Sequence, residues 1–169
     1  MPRRYRKRII NRDKYSIEQT NFITPTSIEW PVVTAPSELQ QDSYQYSIQI
    51  IPASTDQGMR KIKHLTISMA NYRGTSDSAS LFYAIVYVPQ GYQPQHITVP
   101  ASGAAGSNYQ ANQYIMSSGV IDFSAGPTRI YSRLSRNLNS GDAIYLLLAT
   151  PFGTQDAWMA QVSYAVTLQ

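Results

Sequence analysis

Cysteine is absent from this 169-residue chain, which excludes disulfides and thiolate-held metal centres and leaves the redox compartment unreadable. Charge is nearly as scarce. Asp, Glu, Lys and Arg make up 14% of the residues, against roughly 25% in an average globular domain. A surface this thin in charge suits a protein whose faces are covered by neighbouring subunits, since interface cores lose charge and gain aromatics. Tyrosine alone occurs 13 times. The longest apolar run, Ala143 to Ala149, holds seven residues, where a membrane helix needs about 20. No apolar stretch follows the charged N-terminus as in a secretory signal, and there is no Asn-x-Ser/Thr sequon. A soluble chain without membrane insertion is expected.

Catalytic chemistry is equally hard to assemble. Nucleophilic catalysis needs a nucleophile held beside a base, and the only histidines are His64 and His96. Neither belongs to an HxH or HExxH pattern, so no metal site is expected. His64 sits among polar neighbours in a strand-like segment and reads as a surface or structural residue; His96 lies in a Gly/Pro-rich stretch. The ten carboxylates are scattered singly, unlike a catalytic dyad. SGAAGSN lacks the following Lys-Ser/Thr of a phosphate-cradling loop. The expectation is a non-enzyme with no catalytic residues, metal or cofactor.

What the chain does have is period-two alternation. YSIEQTNFIT (Tyr15 to Thr24) and TSIEWPVVT (Thr26 to Thr34) read as strands beside prolines. YQYSIQIIP puts Tyr44, Tyr46, Ile48 and Ile50 on one face. RKIKHLTISMANY alternates through Leu65, Ile67 and Met69, with His64, Thr66 and Ser68 opposite. LFYAIVYVP (Leu81 to Pro89) is apolar on both faces, as a central strand buried on each side would be. Gln90 to Gln113 reads as an exposed loop carrying at most a short strand at His96 to Val99. YIMSSGVIDF, TRIYSRLS, AIYLLLATPF and WMAQVSYAVTL complete about nine strands, the last placing Trp158, Ala160, Val162, Tyr164, Val166 and Leu168 together. No helix, repeat or second domain is visible. An all-β sandwich or jelly roll over residues 15–169 follows.

The remaining feature is an arm at residues 1–14. Arg3, Arg4, Arg6, Lys7, Arg8, Arg12 and Lys14 oppose only Asp13, seven cations against one carboxylate, a net +6. Residues 15–169 hold seven basic and nine acidic groups, a net −2. The pI of about 9.3 therefore describes a cationic tail on a nearly neutral body. Arginine and lysine on such a segment neutralise phosphates and release counterions without sequence preference. Tyr5 and Tyr15 can stack on unpaired bases. The RRYRKR run also fits nuclear import, and a plain solubility tail is the bland alternative. Further cations stand in two groups: Arg60, Lys61 and Lys63, then Arg129, Arg133 and Arg136. These are candidate additional phosphate contacts, with inter-subunit or strand-end roles as the competing reading. Alternation would put Lys61 and Lys63 on the Leu65 side, which requires either a projecting strand end or a bulge.

KYSIEQTNFITPTS, GMRKIKHLTISM, YAIVYVPQGYQP and NQYIMSSGVIDFSAGPTRIYSRLSRNLNSGDAIYLLLAT resemble capsid proteins of circular Rep-encoding single-stranded DNA viruses, the circovirus-like assemblage. The resemblance runs from about Lys14 onward, most strongly from Gly58 to Thr150. It implies one eight-stranded jelly roll of two four-stranded sheets and a T = 1 shell of about 60 copies. It also implies arms turned onto a circular single-stranded DNA genome, import receptors as partners, and residence in the virion and, during assembly, the host nucleus. Gln90 to Gln113 would then be an outward or inter-subunit loop. This arm is shorter than the arginine-rich arms of circoviruses proper; about 60 copies supply roughly 420 cations against one charge per nucleotide. A monomeric β-sandwich that binds nucleic acid or glycans, and a small RNA or satellite virus coat, are the alternatives.

Overall fold

The computed structural model describes residues 15–55, 58–73, 80–123 and 126–168. Arm residues 1–14 lie outside them. The strands are β1 (Ser16–Ile23), β2 (Val32–Val33), β3 (Ser43–Ile51), β4 (Arg60–Arg73), β5 (Ser80–Val88), β6 (Tyr114–Asp122), β7 (Thr128–Ser132), β8 (Arg136–Leu138), β9 (Ala143–Thr150) and β10 (Ala157–Leu168). They form two antiparallel sheets. The first runs β1-β10-β4-β7, with β8 also on β4, and the second runs β2-β3-β9-β5-β6.

Ten strands in two five-stranded sheets exceed the expected four plus four, for two local reasons. β7 pairs with Leu65 to Met69 of β4, and β8 with Arg60 to Ile62 of the same strand. They are two halves of one strand, interrupted where β4 itself is irregular. β2 is a two-residue pairing beside β3. Counting β7 and β8 together and setting β2 aside leaves two four-stranded sheets in jelly-roll order.

Two sequence readings need correction. Thr26 to Thr34 is not one strand. Ser27–Glu29 forms a 3-10 turn closed by a capping box, in which the Glu29 carboxylate accepts from the Thr26 N–H. Pro25 and Pro31 lack the N–H groups that a continuous ladder would use. The buried Ser27 hydroxyl donates to the Thr154 carbonyl at 2.9 Å, holding the turn to the segment before β10. Nor is Gln90 to Gln113 an exposed loop throughout, although no strand forms at His96 to Val99. Ile97 and Val99 are buried against Ala84, Val86, Val88, Leu147 and Ala149 on the outer face of the second sheet. β5 and β9 are apolar on both faces, so the far face needs a cover, and the loop supplies it.

The main core lies between the sheets. Leu65, Ile67, Leu81, Ile85, Leu146, Leu148, Trp158 and Val162 are all fully or nearly fully buried there. Trp30 stacks on Tyr46 at 5.4 Å and packs at the same distance, tilted, on Trp158. The loop on the far face is fixed by buried amides. Gln45 donates through Nε2 to the Ile97 carbonyl and accepts through Oε1 from the Ile97 N–H, both at 2.7 Å. Gln113, also buried, accepts from the Gln95 N–H at 2.8 Å.

Replacing Gln45 by Leu leaves the buried Ile97 N–H and C=O without partners, each a penalty of about 1–3 kcal/mol. Urea denaturation is expected to show a loss of ~3 kcal/mol, with faster hydrogen exchange around Ile97. Gln49→Leu, exposed on the same strand, should stay within ~0.5 kcal/mol of the parent.

Candidate nucleic-acid interface

The outer face of the first sheet is set by a bulge in β4. β10 pairs Ser163 with Thr66 and Ala165 with Lys63, so both His64 and Leu65 stand against Tyr164. His64 takes a left-handed φ of 55°, as the extra residue of a bulge can. The bulge reverses the facing beyond it. Ile62 turns into the core beside Leu65, and Lys61 and Lys63 move to the outside. Of the two explanations open at the sequence level, the bulge is the one realised.

Cross-strand partners share a face, and the ladders carry the outer face across the sheet. It comprises Ile17, Gln19, Asn21 and Ile23 of β1 and Met159, Gln161, Ser163, Ala165 and Thr167 of β10. β4 adds Lys61, Lys63, Thr66, Ser68 and Ala70, and the β7–β8 strand adds Arg129, Tyr131 and Asn137. No Asp or Glu is among these residues. The nearest acid in β1, Glu18, points to the opposite side, where it accepts from the Tyr164 hydroxyl. His64 Nδ1 lies 3.1 Å from the Tyr131 hydroxyl, and the Lys63 ammonium sits 4.6 Å from the centre of the Tyr15 ring. The chain therefore passes from the arm into β1 beside this cationic face.

The six body cations divide. Lys61, Lys63 and Arg129 belong to the face. Arg133 is exposed in the break between β7 and β8, at the sheet's lateral edge. Arg60 and Arg136 are turned away. Arg60 donates to the Pro52 carbonyl at 2.9 Å. Arg136 lies 4.1 Å from the Tyr87 ring centre and 5.4 Å from that of Tyr114. The Tyr87 hydroxyl donates at 2.8 Å to the buried Asp142 carboxylate, which also accepts from the Asn139 and Gln90 N–H groups. Arg60 and Arg136 thus hold the sandwich together at one end and do not join the face. The seven arm cations, Arg3 to Lys14, lie outside the described residues.

Sequence reasoning passed over Tyr131 and gave His64 no binding role. Alternation in TRIYS would have put Tyr131 beside Arg129, and the alternation that set His64 with Thr66 and Ser68 already placed it on the same face; what only the bulge supplies is Lys61 and Lys63. His96 is on the far side of the molecule, bordering two cavities of about 290 and 200 Å³ beneath the long loop, both also lined by Gln45. Among the described residues no three His, Cys, Asp or Glu side chains converge as a metal site would need.

No family model and no curated protein matches the chain. Among solved structures, the decameric capsid protein of BFDV, beak and feather disease virus, gives a TM-score of 0.44 at 9% identity, covering 92% of this chain and 97% of that one. The chain is similar to a circovirus capsid protein. An infectious bursal disease virus VP2 subviral particle gives 0.20 at 10% identity, covering 93% of this chain and 42% of that one.

β1 is anchored to β10 through Tyr164 and Glu18. Burial, then the hydrogen bond and negative charge of Glu18, hold the Tyr164 phenol above the usual 10.0, with Arg60 pulling the other way. Tyr87 is raised by burial and by Asp142, against Arg136. Folded phenols that resist ionisation contribute stability that is full below pH ~10 and is lost as the pH climbs above it. An ultraviolet titration should show two late-ionising tyrosines, one missing in Tyr164→Phe and the other in Tyr87→Phe. Each variant should also lose part of the parent's alkaline destabilisation.

Proposed function

We propose that this chain is the coat protein of a small virus with a circular single-stranded DNA genome. Copies of it close into a T = 1 shell of about 60 subunits. Arms and the outer face of the first sheet turn inward onto the genome. The observation that carries this reading is the charge layout at Tyr15. An arm of net +6 precedes Tyr15, which lies beside a face that holds Lys61, Lys63 and Arg129 and, among the described residues, no carboxylate, on a body of net −2. Arm and face repel one another, and a polyanion laid between them relieves both.

Each element has a chemical use. Lysine and arginine neutralise phosphates, while Tyr15 and the half-exposed Tyr131 offer rings on which unpaired bases stack. The face also addresses the shortness of the arm. Three body cations per chain raise the interior charge from roughly 420 to roughly 600 over about 60 copies. Assembly itself is favoured by low overall charge together with Leu39, Tyr109 and Phe152, each more than 60% exposed in the isolated chain. RRYRKR serves as the import signal when the arm is free of nucleic acid. The protein is not an enzyme; it acts by enclosing its genome, in the nucleus during assembly and then in the virion.

Light scattering and electron microscopy of the expressed protein should find particles of megadalton mass. A monodisperse 18.9 kDa monomer at every salt concentration would sink the proposal. Bound nucleic acid should be DNase-sensitive; RNase sensitivity alone would favour an RNA virus coat.

Deleting residues 1–14 is expected to spare the particles and sharply lower their nucleic-acid content. Replacing Lys61, Lys63 and Arg129 together by Gln should reduce the slope of log K against log salt for single-stranded DNA by about 2. An unchanged slope would remove the face from the interface.

A further inference from the structure

Charge is segregated across the sandwich. From Tyr15 to Thr55 there is no Lys, Arg or His, and four carboxylates, Glu18, Glu29, Glu38 and Asp42. From Phe123 to Gly141 there are Arg129, Arg133 and Arg136 and no Asp or Glu. The fold sends these two stretches to opposite lateral edges. β1, the 3-10 turn, β2 and the following loop border one side of the two sheets, and β6 with the β7–β8 strand borders the other. Asp122 at the end of β6 sets one carboxylate against the three arginines of this second edge, 3 − 1 = +2. Arg136, lying over Tyr114, ties the members of the second edge together. With strands about 4.8 Å apart, three spacings put the two edges of the first sheet roughly 14 Å from one another, and four put those of the second roughly 19 Å apart.

Both edges also expose apolar side chains. Ile28, Val32 and Leu39 stand beside Glu29, Glu38 and Asp42; Tyr114, Val120 and Leu134 stand beside Arg133. β1 and β6 each end a sheet, and an unpaired strand edge presents free backbone groups to a neighbour.

We infer that the acidic β1–β2 edge of one copy docks against the basic β6–β8 edge of the next, as a head-to-tail contact between identical chains. The inference rests on the capsid reading for the existence of a second copy. The pairing of edges follows from their charge. Acidic edge on acidic edge and basic on basic both repel, so a two-fold self-complementary contact through either edge is disfavoured. Acidic on basic attracts and brings apolar side chains together at its centre. A contact between unlike surfaces leaves one edge of each kind free, so it propagates until rotation closes it into a ring.

Glu38→Lys and Arg133→Glu test the contact in the full-length protein after nuclease treatment, at about 0.1 M salt, where screening extends over ~10 Å. Both positions are exposed in connections between strands, and circular dichroism checks the fold. Each variant alone should need at least about tenfold more protein than the parent for half-maximal assembly, since each sets like charges against one another. Mixing the two in equal amounts should restore assembly in part, because most contacts then pair opposite charges, while a ring of three or five keeps at least one contact between like variants. The double variant on one chain should also recover. Assembly of both single variants at the parent's concentration, or a mixture no better than its components, overturns the edge assignment. The neutral pair Glu38→Gln and Arg133→Gln should give a smaller loss of the same kind if either reversal unfolds. If the parent never associates, the capsid reading falls together with this inference; if it associates and the variants are indifferent, only the inference falls.

Discussion

The bulge at His64 is the constraint on which the rest of the cationic surface depends. A strand of fourteen residues in strict alternation would have to choose between burying Ile62 and burying Leu65, Ile67 and Met69. With one extra residue opposite Tyr164, β4 buries all four. The gain of another core isoleucine is of order 1.5–3 kcal/mol, well placed to offset the left-handed backbone of one histidine. The lysines are expelled as the other half of the same rearrangement. The neighbouring strand answers by breaking into β7 and β8 across from the bulge, so one irregularity sets the facing of two strands.

The second sheet faces a different demand. Its central strands are apolar on both sides, and the segment between β5 and β6 covers the far side with two residues, Ile97 and Val99. The loop backbone is met chiefly by side-chain amides: Gln45 on Ile97, Gln113 on Gln95, and Asn108 on the Thr98 N–H at 3.1 Å. Uncharged amides can be buried at far lower cost than carboxylates or ammonium groups, which gives a physical use to a composition rich in Gln and Asn.

Much of this architecture was legible in the sequence because period-two alternation is local. The burial of Trp158, Ala160, Val162, Tyr164 and Val166 on one side of β10 was readable, as was the two-sided apolar character of β5. The facing of Lys61 and Lys63 was readable only as a conflict, since a bulge is decided by the partner strand. Arg60 and Arg136 could not be separated from the outward cations, because what distinguishes them are Pro52, Tyr87 and Tyr114, distant in sequence. The role of Ile97 and Val99 was hidden for a similar reason: two apolar residues amid polar ones look like loop until the surface beneath them is known.

The way the long loop is attached has an evolutionary consequence. Its anchors lie near its ends and middle, at Gln95, Ile97, Val99 and Gln113, while Ser102, Gly103 and Ala105 to Ser107 are exposed between them. Gly103, at φ +76 with open space around it, turns the chain outward at that point. Changes in length there add loop entropy that grows only slowly with residue number and leave the anchors in register. The surface of this loop can therefore diverge quickly in sequence and size while the sandwich beneath it stays constant, separating a variable cover from a fixed frame.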